Sequence, residues 1–211
     1  RASVEPNPCA SGLAWQDRGG SLLYLQGRGA YPDPPGDLVV AVDWPEGFHA
    51  PPLTPEWLAQ PFPWQVDCVE AWLEDKRAAV GFSWGAWLLL CASVERAEKG
   101  LEMPHLLLLS AHLGEGRFTG SAEEGYRAPR FQRVRQALGL EIGTALTAHL
   151  PLHQLRLIHA VGDGLAPLAR TQELSVRGAW LEEVSGGHLL DSKPARKAVA
   201  TELRRLRMRL A

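Results

Sequence analysis

Apolar residues in this chain fall into short runs, and their spacing changes from one run to the next. S-L-L-Y-L-Q (21–26) is a compact apolar run followed by Gly27, and L-V-V-A-V-D (38–43) is continuous and β-branched. Uninterrupted apolar runs of this length suit strands covered on both faces. A-A-V-G-F-S (78–83), H-L-L-L-L-S-A (105–111) and L-R-L-I-H-A-V-G-D (155–163) repeat the pattern, and W-L-E-E-V (180–184) reads as a shorter strand. Between them the spacing turns helical. Residues 64–77 carry apolar positions at 66, 69, 72 and 73, and 84–97 form an apolar helix starting immediately after Ser83. P-L-A-R-T-Q-E-L (167–174) has proline placed for a first turn, and K-P-A-R-K-A-V-A-T-E-L-R-R-L-R-M-R-L (193–210) is amphipathic.

The stretches between these elements are less regular. Residues 1–20 are polar and aperiodic, and P-D-P-P-G (32–36) is a turn cluster. The six prolines of residues 44–63 predict a long surface loop. A Gly-rich loop follows the run at 105–111. Helices are then expected after Pro129 and over 141–149. Repeated alternation of strand and helix predicts an α/β fold, an open, mainly parallel sheet flanked by helices. With 211 residues and neither repeat nor linker, a single domain over 1–211 is expected, with 112–154 as a short lid or helical insertion.

Composition narrows the function classes. The chain is 45% hydrophobic and 22% charged, with a formal net charge of −2. That balance argues against general disorder and against whole-protein steering toward nucleic acid or an anionic membrane. No apolar run is long enough for a membrane span. Cytoplasm is the default expectation, although the chain starts at Arg1 and a removed signal peptide is compatible with that start. The three cysteines, Cys9, Cys68 and Cys91, form neither a disulfide framework nor a zinc pattern, so Cys68 and Cys91 are expected as buried free thiols. Eight tryptophans serve the core first, and any near a pocket would suit an apolar ligand. His149 and His153 have helical ligand spacing, but Pro151 breaks the helix between them, so no metal site is expected. The arginines near the C-terminus read as a solvated helix face.

A serine hydroxyl becomes a nucleophile only when a base takes its proton, and that base needs an acid to orient it. In an open parallel sheet such groups belong at the carboxyl ends of strands. Ser83 ends the run 78–82, Asp163 ends 155–161, and His188 follows 180–184. Glu115, past the run 105–111, is the rival acid. A turn or cap role for Asp163 and a surface role for His188 are the simpler alternatives. His105 and His159 lie within strands and read as structural. His112, at a strand end, suits a pocket wall or a cap.

G-F-S-W-G (81–85), G-D-G-L-A-P (162–167), G-G-H (186–188) and Q-G-R-G (26–29), in that setting, resemble the α/β-hydrolase superfamily over roughly residues 20–210. G-x-S-x-G is its nucleophile elbow, where flanking glycines allow a sharp strand-to-helix turn. The resemblance implies the α/β-hydrolase fold with fewer strands at the N-terminus. It also implies a triad of Ser83, Asp163 and His188, in the family's chain order. The oxyanion hole would use the backbone N–H groups of Arg28 and Trp84, with Gln26 standing where histidine is usual. Gln26, Gly27, Trp87 and His112 are the candidate pocket residues. V-D-W-P-E-G-F (42–48) is similar to a structural family motif, so Asp43 receives no catalytic role.

The implied activity is that of a cofactor-free serine hydrolase cleaving carboxylic esters or thioesters of small molecules. The short insertion points to small or linear acyl groups. Two alternatives accompany it. One is an esterase on acyl chains held by an acyl-carrier protein, similar to the pimeloyl-carrier methyl esterases, with Arg130 and Arg133 as docking cations. The other is a non-catalytic binding protein on the same fold.

Overall fold

The computed structural model describes residues 21–27, 48–51, 53–113 and 151–211. The expected strand at 38–43, the helices after Pro129 and over 141–149, Arg28 and Glu115 lie outside the described residues. Among the described residues, six strands form one sheet: β1 (Leu22–Leu25), β2 (Phe48–His49), β3 (Ala78–Phe82), β4 (His105–Leu109), β5 (Leu155–Ala160) and β6 (Trp180–Val184). Their spatial order is β2-β1-β3-β4-β5-β6, and every pairing is parallel.

Side chains alternate across this sheet, and the two faces collect different partners. Leu23, Leu25, Ala79, Leu106, Leu108, Leu155 and Leu157 face one cluster. That cluster is built with α2 (Phe62–Trp72), α3 (Trp84–Glu98) and Leu174 of α4 (Leu168–Val176). Leu22, Tyr24, Val80, Phe82, Leu107, Leu109 and Ile158 face the other, covered by α5 (Lys193–Leu210). Helix α5 presents Ala195, Ala198, Val199, Glu202, Leu203 and Leu206, one stripe at helical spacing. Ser192 caps its start by accepting from the Ala195 N–H at 3.2 Å. Arg77 donates to the carbonyls of Arg209 and Leu210 at its end, both at 3.0 Å. The buried Glu202 carboxylate is held by Arg156 and Arg205, and the Arg156 guanidinium lies 3.7 Å over the Trp180 ring.

Three expectations change. The described part of 44–63 is not simply a loop: β2 pairs with β1, and a short helix α1 (Pro55–Leu58) follows, capped by Thr54. A two-residue strand leaves no periodicity to read, and its pairing with β1 alone defines it. The helix expected over 64–77 begins at Phe62 and ends at Trp72. Cys68 is disulfide-bonded, not a free thiol, whereas Cys91 is a buried thiol outside any disulfide. Cysteine spacing alone does not reveal a disulfide at Cys68. Tryptophans join α1 and α2: Trp57 stacks on Trp72 at 5.6 Å and meets Trp64 at 5.8 Å. None of the described helices is long and apolar enough to cross a membrane.

Candidate active site

Strand β1 connects onward to β2 on one side, whereas β3 lies on its other side. A crevice opens at the carboxyl ends of strands where the winding reverses in this way. Ser83 stands there, between the end of β3 and the start of α3, with φ 52° and ψ −111°. A non-glycine residue in such a conformation costs on the order of 1–3 kcal/mol and persists only when its surroundings hold it. Here the surroundings are two glycines and a ladder bond. A Cβ on Gly81 would stand 2.5 Å from Ala86 Cα, and one on Gly85 2.4 Å from the Leu25 carbonyl oxygen. Only glycine lets strand, turn and helix close to this extent. The Ser83 N–H continues the sheet by donating to Leu109 O at 2.9 Å.

The turn after β5 brings in Asp163. Its side chain is fully buried. Oδ1 accepts from the Leu165 and Ala166 N–H groups, each at 2.8 Å. Burial alone would push this carboxyl up. The hydrogen bond from His188 and those from Ala166 and Leu165 outweigh it and hold the group below the usual carboxylate range.

The loop after β6 brings in His188. It is tied to the Asp163 turn, since Gly162 N–H donates to Gly186 O at 3.1 Å and Val161 N–H to Val184 O at 2.8 Å. His188 Nδ1 lies 2.8 Å from Asp163 Oδ2, and Nε2 lies 2.9 Å from Ser83 Oγ. The carboxylate only accepts, so Nδ1 carries the proton and Nε2 is left to accept from the serine hydroxyl. The ring also packs against Phe82 at 5.2 Å.

Gln26 is buried at the end of β1, and its carbonyl oxygen would be 2.6 Å from a Cβ on Gly85. Gly27 lies directly against the elbow: a Cβ there would be 2.9 Å from the Phe82 ring and 3.1 Å from Ser83 Cβ. Trp84 opens α3, so its backbone N–H sits at the positive end of the helix beside Ser83. Its indole packs on Phe62 and donates to Gln65 Oε1 at 3.2 Å, inside the α2–α3 interface. Trp87 has no exposed surface and belongs to the core cluster. His112 is buried near His188 and Asp163 and hydrogen-bonds the Leu165 backbone; burial first, then the nearby His188, push it down to about 4.

Two residues outside the sequence-based candidates hold this array. Ser110, completely buried, donates to the His188 carbonyl at 2.8 Å. Gln65, also buried, donates to the carbonyls of Leu58 and Gln60 while accepting from Trp84. Neither has a sequence signal, because each partner is distant along the chain or belongs to a backbone group. Among the described residues, Asp67, Glu70 and Glu95 bring ligand atoms within 4.8 Å of one another on α2 and α3. They lie apart from the array of Ser83, His188 and Asp163, and Glu70 is paired with Lys99.

Such an array can move a proton from a serine hydroxyl to an imidazole whose cation is stabilised by a buried carboxylate. No protein-family model matches the sequence, and no curated protein matches it closely enough to mark a relative. Solved structures do match. An α/β-superfamily protein from Xanthomonas campestris pv. campestris is 18% identical, with TM-score 0.55, covering 89% of this chain and 99% of that one. The type II thioesterase YbtT of yersiniabactin biosynthesis is 12% identical, with TM-score 0.57, over 93% of this chain and 96% of that one. A Pyrobaculum calidifontis esterase is 15% identical, with TM-score 0.54, over 92% of this chain and 78% of that one. The chain has the α/β-hydrolase fold.

Proposed function

We propose that this α/β-hydrolase-fold chain is a serine hydrolase that cleaves carboxylic esters or thioesters through an acyl-enzyme on Ser83. The single observation that carries the reading is the bridging imidazole of His188, 2.9 Å from Ser83 Oγ and 2.8 Å from Asp163 Oδ2. A histidine satisfying both partners at hydrogen-bond distance has the geometry of base and acid in nucleophilic catalysis.

In the reaction, Ser83 Oγ attacks the acyl carbonyl as His188 Nε2 takes its proton, and Asp163 stabilises the imidazolium. The carbonyl oxygen of the tetrahedral intermediate is met by the Trp84 N–H, with the Arg28 N–H as second donor. The close approach of Gly27 to Ser83 supports a donor arriving from the end of β1. Each such donor is worth about 3–4 kcal/mol to the transition state. His188 then gives its proton to the leaving alcohol or thiol. Water, deprotonated by His188, releases the acid and restores Ser83. The YbtT and Pyrobaculum likenesses are compatible with thioester and ester substrates alike.

A fluorophosphonate probe tests the reading. The native protein should label at neutral pH and Ser83→Ala should not, with p-nitrophenyl ester turnover lost in parallel. A native protein that neither labels nor turns over esters and thioesters would refute it in favour of a binding protein.

A further inference from the structure

We propose that His159 is a positioning residue for Asp163, gripping the turn that aims its carboxylate at His188; the proposal rests on the serine-hydrolase reading above. His159 lies in β5, four residues before Asp163, with no exposed surface. Its Nε2 is 2.7 Å from the Ala166 carbonyl oxygen and 3.4 Å from Asp163 Oδ2. Both neighbours are acceptors only, so Nε2 carries a proton. Nδ1, 3.0 Å from Thr171 Oγ1, is then left to accept the Thr171 hydroxyl proton. Thr171 belongs to α4 and is itself buried.

This places Ala166 between two grips. Its N–H donates to Asp163 Oδ1, and its carbonyl accepts from His159. The carboxylate is oriented by backbone donors that would themselves be loose without the histidine behind them. A buried carbonyl left without a partner is unfavourable enough to make the turn rearrange rather than stay open. Burial holds His159 below its ordinary histidine value, while Asp163, His188 and Glu183 also act on it electrostatically. The neutral ring adds no second cation beside His188. Thr171 Oγ1 also lies 2.8 Å from the Leu168 carbonyl, an alternative acceptor if His159 were to carry both protons.

His159→Leu removes both hydrogen bonds, His159→Gln keeps a donor able to reach Ala166, and Thr171→Val removes the hydroxyl that faces Nδ1. kcat and KM for a p-nitrophenyl ester are measured per fluorophosphonate-titrated site, together with the low-field proton resonance of His188 Nδ1–H. His159→Leu should lose about 10- to 100-fold in kcat with KM unchanged, the scale of a misplaced catalytic group. Its low-field resonance should broaden or vanish, His159→Gln should recover most of both, and Thr171→Val should fall between. A folded His159→Leu with native kcat and resonance, or one altered in KM alone, would overturn the proposal. If His159→Leu does not fold, native values in both His159→Gln and Thr171→Val overturn it as well. The resonance reads the His188–Asp163 bond with or without turnover. An inactive, unlabelled native protein therefore removes the hydrolase reading, and an active one with indifferent variants removes only the role of His159.

Discussion

Ser110 donates its hydroxyl proton to the main-chain carbonyl of His188 at 2.8 Å, across 78 residues of sequence. Ser110 follows β4 directly, at φ 44°, and its N–H is anchored to Ile158 O in β5 at 2.9 Å. The loop that carries the imidazole is thus fastened to the centre of the sheet. Ser110→Ala should cost about 1 kcal/mol of stability, the net worth of one such bond. It should also lower kcat several-fold with KM unchanged. Urea denaturation and ester kinetics on one preparation check both parts.

The strain at Ser83 has its own consequence. Ser83→Gly removes the Cβ that makes φ 52° unfavourable, so the variant should melt higher than Ser83→Ala, by roughly 1 kcal/mol in stability. Both variants should lose ester hydrolysis by at least about 1,000-fold in the proposed mechanism. Thermal melts of the two variants side by side test the backbone argument separately from the chemistry.

Gly85 is the position where helix α3 meets the end of β1. A Cβ there would lie 2.4 Å from Leu25 O and 2.6 Å from Gln26 O, contacts with backbone that cannot swing aside. Gly85→Ala should destabilise the protein by about 1–3 kcal/mol, the range for overpacking a tight interior. A shift in the denaturation midpoint at constant m-value is the expected signature.

Stability should fall in mild acid. Burial depresses His112 from 6.5 to about 4, so the unfolded chain binds a proton between these pH values that the native protein refuses. This contribution is complete above about pH 6.5 and disappears as pH falls toward 4, a loss of up to about 3 kcal/mol for a shift of this size. His105 and His159 are depressed as well, with desolvation leading in each, and act in the same direction. Unfolding free energies at pH 7 and pH 4.5 should differ less in His112→Gln than in the native protein.

Much of the fold was legible along the chain. The apolar runs at 78–82, 105–109 and 155–160 are strands with nearly the expected bounds. The shortest elements were not legible. β2 is two residues long and exists through its register with Leu22 and Leu23, and α1 is a single turn started by Thr54 in a proline-rich stretch. Nor could spacing show that Trp87 is sealed in the core, or that the Trp84 indole turns to Gln65. Side-chain direction depends on the neighbour an element packs against, which periodicity does not carry.

The sequence by itself determined the elbow, because Gly81 and Gly85 meet a local steric demand within five residues of chain. It also determined that Asp163 and His188 each follow a strand, since strand and turn propensities act over a few residues. Only the tertiary structure decided that His188 reaches Ser83 across 105 positions and Asp163 across 25. The strand order β3-β4-β5-β6 brings their carboxyl ends to one edge of the sheet. Hydrogen bonds act over about 3 Å, so which groups meet is set by the order in which strands pair and not by their distance along the chain.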